Sequence, residues 1–403
     1  MVLFYKACIY PLVWASIASA CSKYLIPSAL PNAGRGIVAG IQFWSGDEIE
    51  SNPTLSIPKE LTQQTQLTHY VYGTGDNRFD MLMIGAGSIY NHYDPRTVFY
   101  TWKDEGPSDQ AASLLPFTDY TKTIFHSVSN IQTGEEMLNH YGDHWFNRFD
   151  IPHDIESNDQ SDHSLVHRFS LIDLQNFGHC ISDTFVSPSP IPNAGSGLIA
   201  GRNYVVGDIV AVSPVLLLPK YLVDQHTEES VLQNYCITVF TVDFVLLPIS
   251  TGAMINHKAS PMANVRMEWF DWNPAVEALK TKYPLFAKSQ ANNTLLRLSD
   301  KLAMRAEELS TMPFAPLDIA YRATRPIAAG EEILMDYGPA WESKWRQYIA
   351  RMQAWKVKGN AKEQTQEFPL FREYIEAPEG MFPSHWTSTQ MQQCSAEEEE
   401  TCP

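Results

Sequence analysis

The chain has 403 residues, 44% hydrophobic and 12% aromatic, which excludes a disordered polymer and leaves room for two or three domains of ordinary size. Its formal net charge of −17, with no run of Lys or Arg, would repel a phosphate backbone and excludes nucleic acid as a direct ligand. Cys8, Cys21, Cys180, Cys236, Cys394 and Cys402 show no CxxC pair and no zinc-ligand spacing, so neither a metal nor a disulfide framework is expected.

The first twenty residues, MVLFYKACIYPLVWASIASA, carry one Lys, an apolar stretch from Ala7 to Ile17 and small residues at Ala18 and Ala20. They read as a secretory signal peptide, which sends the mature chain into the secretory route or outside the cell. A buried N-terminal helix is the competing reading, opposed by Pro11. No later apolar run is long enough to span a membrane.

At 31 the chain reads PNAGRGIVAG, and 161 residues later PNAGSGLIAG. Extended to 31–61 and 192–222, the two stretches agree at 14 of 31 positions. A second pair, MIGAGSIYNHYDP (83–95) and ISTGAMINHKASP (249–261), follows, aligning Asn91–His92 with Asn256–His257 at an offset of 165. A third, NIQTGEEMLNHYGDHW (130–145) and PIAAGEEILMDYGPAW (326–341), follows at an offset of 196. Three blocks kept in one order indicate a duplicated domain in which the later repeat carries an insertion, placed at about 266–316.

Short apolar runs broken by Gly, Pro, Asn and Asp, such as DIVAVSPVLLL and YCITVFTVDFVLL, predict strands. Helical periodicity is confined to SLVHRFSLIDLQNF, NTLLRLSDKLAMRAEELS and WESKWRQYIARMQAW. The predicted class is mainly β with a few helices. The organisation is a leader (1–20), a first repeat (27–150), an exposed linker (151–185), a second repeat (186–350) and a helix with a disordered acidic tail (351–403). Asn292 sits in an N-x-T sequon, and a Cys394–Cys402 bridge or free thiols are both open readings of the tail. Histidines 140, 144, 153, 163 and 167 are too irregularly spaced to argue for a metal site.

Taken singly, the blocks have ordinary explanations. A G-x-G loop is a tight turn that also lets backbone approach a ligand, an Asn-His pair offers an amide beside an imidazole, and GEE…DYG is a turn and strand. Their joint order resembles the SET domain, the lysine methyltransferase fold, through IPNAGSGLIA, INHKASPMANV and ATRPIAAGEEILMDYG, with PNAGRGIVAG, YNHYDP and VSNIQTGEEMLNHYG as a looser earlier set. The two-copy arrangement is also similar to proteins of diatoms and related algae. The resemblance implies tandem β-clip domains in which a C-terminal segment threads beneath a loop as a pseudoknot, bringing the second and third blocks together.

It further implies S-adenosylmethionine as cofactor, around Gly195, Ser196, Gly197, Asn256 and His257 in the later repeat and Gly34, Arg35, Gly36, Asn91 and His92 in the earlier. Tyr337 or Tyr141 would line the channel for a lysine side chain of a protein substrate. Asn139–His140 stands where the later repeat has Met335–Asp336, and YNHYDPRTV lacks a counterpart of Asn264, so the later repeat is the expected catalyst. The absence of a Cys-rich cluster on either side of the repeats leaves a histone substrate unsupported, so a non-histone or unknown protein is expected. The alternative expectation is an inactive SET-like module that binds or scaffolds a partner.

Overall fold

The structure is a computed structural model that describes residues 20–31, 33–73, 78–103, 122–142, 168–192, 194–239, 241–290, 297–358 and 371–387. The leader, the sequon, Cys394, Cys402 and the histidines at 144, 153, 163 and 167 lie outside the described residues.

The chain is mainly β. Its first half contains strands β1 (Lys23–Pro27), β2 (Arg35–Ala39), β3 (Glu48–Pro58), β4 (Val71–Gly73), β5 (Phe79–Met83), β6 (Asn91–His92), β7 (Val98–Lys103), β8 (Lys122–Ser127) and β9 (Leu138–Asn139), with helix α1 (Lys59–Gln63) after β3. β1 and β2 form an antiparallel pair, β4-β5-β3-β8-β7 a five-stranded sheet, and β6 and β9 a short parallel pair. Helix α2 (Leu171–Phe177) and β10 (His179–Cys180) lead to the second half.

There the strands are β11 (Thr184–Pro188), β12 (Ser196–Ala200), β13 (Ile209–Pro219), β14 (Ile237–Thr238), β15 (Phe244–Pro248), β16 (Asn256–His257), β17 (Val265–Trp269), β18 (Leu317–Ala323) and β19 (Leu334–Met335). Helix α3 (Lys220–Gln225) follows β13, and α4 (Asn273–Lys282), α5 (Pro284–Gln290), α6 (Leu298–Ala303) and α7 (Ala306–Ser310) fill the stretch between β17 and β18. Helix α8 (Pro339–Lys358) and β20 (Ile375–Glu376) close the described chain. The pairings recur: β11 with β12, the order β14-β15-β13-β18-β17, and β16 with β19.

Local chemistry explains the recurrence. The turn between the opening strands closes on Asp47, which accepts from Trp44 N at 2.7 Å, and on Asp208, which accepts from Val205 N at 3.0 Å. β3 pairs β8 up to Pro53 and β5 from Thr54; β13 pairs β18 up to Val215 and β15 from Val215 onward. Pro53 and Pro214, which lack an N–H, sit where the partner changes and the sheet curls.

β19 lies between β16 and β17 and runs parallel to both, so the 258–264 connection between those strands must cross it. Asn264, fully buried, fixes this arrangement by accepting from Leu334 N at 2.7 Å and donating to Glu332 O at 2.8 Å.

The halves share their interior. Leu55, Ile57, Leu61 and Leu82 belong to the same apolar cluster as Leu216, Leu217, Leu246 and Tyr321. Gln66 bridges them, donating to Leu309 O at 2.7 Å and Met312 O at 2.8 Å while accepting from Leu217 N at 3.1 Å.

Four expectations change. The C-terminal part of the linker is packed: Phe169 is buried and β10 pairs with β1. Cys21 and Cys180 form a disulfide across 159 residues of sequence, a pairing that spacing alone did not indicate. The insertion starts after Trp269 and not at 266, because β17 is the counterpart of β7 in the sheet order. Residues 371–387 of the tail expected to lack structure are folded, with β20 parallel to β14 and Trp386 buried.

Candidate functional site

Each repeat brings its three blocks into one corner. In the later one, Gly195 turns the chain with φ 71°, and β12 begins at Ser196. Gly197 has to be glycine for want of space: a Cβ there would lie 2.1 Å from Glu332 Oε1 and 2.8 Å from Asn256 Nδ2. Asn256 uses its two amide hydrogens on Ser196 O at 2.9 Å and Glu332 Oε1 at 2.8 Å, and Ser189 Oγ donates to Glu332 Oε2 at 3.0 Å. The two carboxylates of GEE therefore have opposite tasks. Glu331 caps its own turn, accepting from Ala328 N at 3.1 Å, while buried Glu332 holds the first two blocks together.

His257 comes next on β16. Its Nδ1 accepts from Tyr337 N at 3.0 Å, which places the proton of the neutral ring on Nε2. Burial holds the imidazole below its ordinary pKa, against the pull of Asp336 and Glu342. Its Nε2–H is buried and has no partner among the described residues. The Tyr337 hydroxyl donates to Ile255 O, and burial raises the phenol pKa, so it stays protonated at neutral pH.

These groups line a half-open pocket enclosing about 660 Å³ of empty space, part of it open to solvent. Ser196, Asn256, His257 and Tyr337 form one side, and Trp341 and Trp345 from the first turns of α8 form another. Trp341 packs on His257 with ring centroids 4.7 Å apart, and its buried indole N–H is unpartnered among the described residues. The folded tail supports this wall. Phe371 packs on Trp341 and Trp345 at 5.3 and 5.0 Å, Asn234 donates to Phe371 O at 2.9 Å, and Glu376 N donates to Tyr337 O at 3.0 Å.

The earlier repeat has the same clasp. Gly34 turns with φ 68°, Gly36 leaves 2.1 Å between a would-be Cβ and Glu136 Oε1, and Asn91 donates to Arg35 O at 2.9 Å and Glu136 Oε1 at 2.7 Å. Burial pushes the Glu136 carboxyl up, against the Asn91 and Ser28 hydrogen bonds that lower it. His92 Nδ1 accepts from Tyr141 N at 3.0 Å, and Tyr141 Oη donates to Tyr90 O at 2.6 Å.

What surrounds that clasp differs. Arg35 sends its guanidinium away from the loop into a buried ion pair with Asp318 of the second half. Leu30, Tyr93 and Leu138 pack together with Ala33 against them, where the later repeat has Ile191, Lys258, Leu334 and Ala194.

All twelve residues predicted for the site thus fall at one of two corners, six of them around Asn91 and Glu136 and six around Asn256 and Glu332. The sequence reading missed Glu136, Glu332, Ser28 and Ser189 as site members. Both pairs recur at the block offsets of 196 and 161, and that signal would have found them. It also missed Asn234, which lines the pocket, and Phe371, which packs behind Trp341 and Trp345; no block contains either. Of the histidine group only His140 lies within the described residues.

No family model matches the chain, and no curated protein does. Among solved structures, the chain is similar to a Plasmodium falciparum protein assigned as a histone methyltransferase, at 26% identity over 31% of this chain and 96% of that one, with a TM-score of 0.25. It is also similar to the polycomb repressive complex 2 of Chaetomium thermophilum, at 14% identity over 31% of this chain and 16% of that one, TM-score 0.25. An active polycomb repressive complex 2 in the basal state matches at 15% identity over 43% of this chain and 17% of that one, TM-score 0.26. The chain therefore spans about a sixth of the length of the two polycomb chains, and likeness at this level adds nothing to the geometry above.

Proposed function

We propose that the chain is a SET-like protein whose later repeat binds S-adenosylmethionine and methylates a lysine side chain of a protein, non-histone or of unknown identity. The observation that carries this reading is a pocket in which the three sequence blocks meet and two buried donors, His257 Nε2–H and Trp341 Nε1–H, remain unspent. Buried donors without acceptors are costly, and a ligand bearing acceptor atoms would relieve both. Ser196, His257 and Trp341 would hold the cofactor, which supplies a methyl group already activated on a sulfonium. The Asn256 amide, expected to read the ligand, acts instead as the clasp that shapes the loop.

The remaining demands fall on the chain's own residues. A lysine ammonium has an ordinary pKa of about 10.4 and has to lose its proton before it can attack. The apolar, aromatic walls of the pocket favour the neutral amine by desolvation. Tyr337 is not the base, because its own proton is held by Ile255 O and its pKa is raised. With its hydrogen so engaged, the phenol oxygen can only accept, and it orients the amine through that hydrogen bond. The Cys21–Cys180 disulfide supports an oxidising compartment, in keeping with a secretory leader.

A second reading, a non-catalytic binding module, is favoured by the earlier repeat, where Tyr93 and Leu30 pack over the clasp and Arg35 is committed elsewhere. Calorimetric titration of the full chain with S-adenosylmethionine separates the two. One site per chain, lost in Asn256→Ala and kept in Asn91→Ala, is expected. No heat from a folded protein would remove the enzyme reading, and two sites would make the earlier repeat a binder as well.

A further inference from the structure

Asn234 belongs to no repeated block, yet it joins the pocket to the C-terminal segment 371–377. It stands third in the 3₁₀ turn Leu232–Tyr235, just before β14, and lines the pocket. Both ends of its amide are spent on that segment: Nδ2 donates to Phe371 O at 2.9 Å, and Oδ1 accepts from Glu373 N at 2.9 Å. An amide can hold two backbone groups of one segment because it carries a donor and an acceptor side by side. Beyond Glu373 the pairing of β20 with β14 takes over, with Ile375 N donating to Cys236 O and Ala377 N to Thr238 O, each at 2.9 Å.

Two arms run from this joint to the donors left unspent in the pocket. Through Phe371, which packs on Trp341 and Trp345, the segment backs the wall that carries the Trp341 N–H. Through Glu376, whose N–H is given to Tyr337 O at 3.0 Å, it fixes the backbone at Tyr337. Tyr337 N in turn donates to His257 Nδ1 at 3.0 Å, which leaves Nε2–H as the free donor of that ring. The earlier repeat provides the contrast. Its counterpart of β14 is β4, which among the described residues is the edge of its sheet, and Thr68 stands third in the matching 3₁₀ turn Gln66–His69. That corner is packed with Leu30, Tyr93 and Leu138 instead.

We propose, on the cofactor reading above, that Asn234 is a positioning residue for the ligand of the later repeat: its amide docks segment 371–377 and so holds the Trp341 and His257 donors at one spacing. Because it acts on groups that grip the ligand and not on the reacting atoms, its loss falls on binding. The KM for S-adenosylmethionine rises while kcat changes little.

The full chain and its Asn234→Ala variant test this in two ways. In the ligand-free proteins, amide hydrogen exchange at Glu373, Ile375, Glu376 and Ala377 should be about tenfold faster in the variant, and faster also at Tyr337, whose amide reports the link to His257, with β13 and β18 unchanged. In calorimetric titration the variant should bind S-adenosylmethionine about tenfold more weakly. Adding Asn234→Ala to Phe371→Ala should weaken binding little further, since both act through the same segment. Wild-type affinity in folded Asn234→Ala, unchanged exchange at these amides, or effects of the two substitutions that multiply would overturn the proposal. A wild-type chain that binds no S-adenosylmethionine removes the cofactor reading, and exchange at Tyr337 then decides alone: faster in the variant upholds the hold on His257, unchanged sinks it. If Asn234→Ala does not fold, Asn234→Asp, which keeps the acceptor and loses the donor, takes its place with the same expected directions.

Discussion

Tyr337 shows how one side chain can be structural and chemical at once. Its hydroxyl makes a single hydrogen bond, to Ile255 O, and its ring packs between His257 and Trp341 at centroid distances of 5.3 and 4.9 Å. Tyr337→Phe keeps the ring contacts and leaves one carbonyl unpaired, a cost of about 1 kcal/mol. On the proposed reading it also removes the acceptor that aligns the amine, so turnover should fall about a hundredfold while the melting profile stays cooperative. A variant that methylates at the wild-type rate would take Tyr337 out of the reaction. The site residues were legible in the sequence because each is held by a backbone feature that recurs, a glycine too close to a carboxylate or an Asn-His pair on a two-residue strand. Trp341 was visible only as part of an apolar helix face, and its unpartnered indole N–H emerges once β16 places His257 against it.

Elements behaved differently according to where their partners lie. Strands such as DIVAVSPVLLL announce themselves by composition, since β13 is buried on both faces in a core to which both halves contribute. The tail did not, because 371–387 is rich in Pro and polar residues and is ordered by what it meets: β14, Asn234 and the aromatic face of α8. The linker from 168 onward was missed for the same reason, its order coming from β1 and the Cys21–Cys180 bridge. Phe371 is the anchor of the tail, buried against Trp341, Trp345 and Tyr348. Phe371→Ala should cost about 3 kcal/mol in urea denaturation and loosen the pocket wall, weakening cofactor binding in the same protein. A loss of stability with unchanged cofactor affinity would show that the tail supports the fold but not the pocket.

At the scale of the molecule, the shared interior makes two repeats into one folding unit, and its weak points are buried charges and histidines. His179, on the strand that joins the halves, is held down to about 4 by burial and by the charge of Arg202. The unfolded chain protonates this ring below about 6.5 and the folded chain does not, so the native state loses stability as pH falls from 6.5 toward 4. Between pH 7.5 and 5.5 that loss should be about 1 kcal/mol for this one residue, read as the difference in urea midpoints between the wild type and His179→Gln. An equal pH dependence in the two proteins would show that His179 is not the cause.

The ion pair of Arg35 with Asp318 tests the unity of the two halves more directly. Arg35 comes from the loop whose counterpart in the later repeat lines the pocket, yet its side chain is 4% exposed and also donates to Ala315 O at 2.5 Å. Asp318 is the second residue of β18, the strand that leads to the third block, and its side chain is 2% exposed. A buried pair gains little over an apolar contact of the same shape, but either partner alone is an uncompensated charge. Arg35→Met should therefore cost about 3–5 kcal/mol, and Asp318→Leu a similar amount. The double variant Arg35→Met/Asp318→Leu should recover much of that loss, giving a coupling energy of at least about 2 kcal/mol in a cycle of urea denaturations. Because Arg35 and Asp318 belong to different repeats, all four proteins should unfold in one transition, with the single variants shifted as a whole. Additive effects in the cycle would mean that the two charges do not meet across the halves. A second transition in either single variant would mean that each repeat folds on its own and that the common core is only a contact between them.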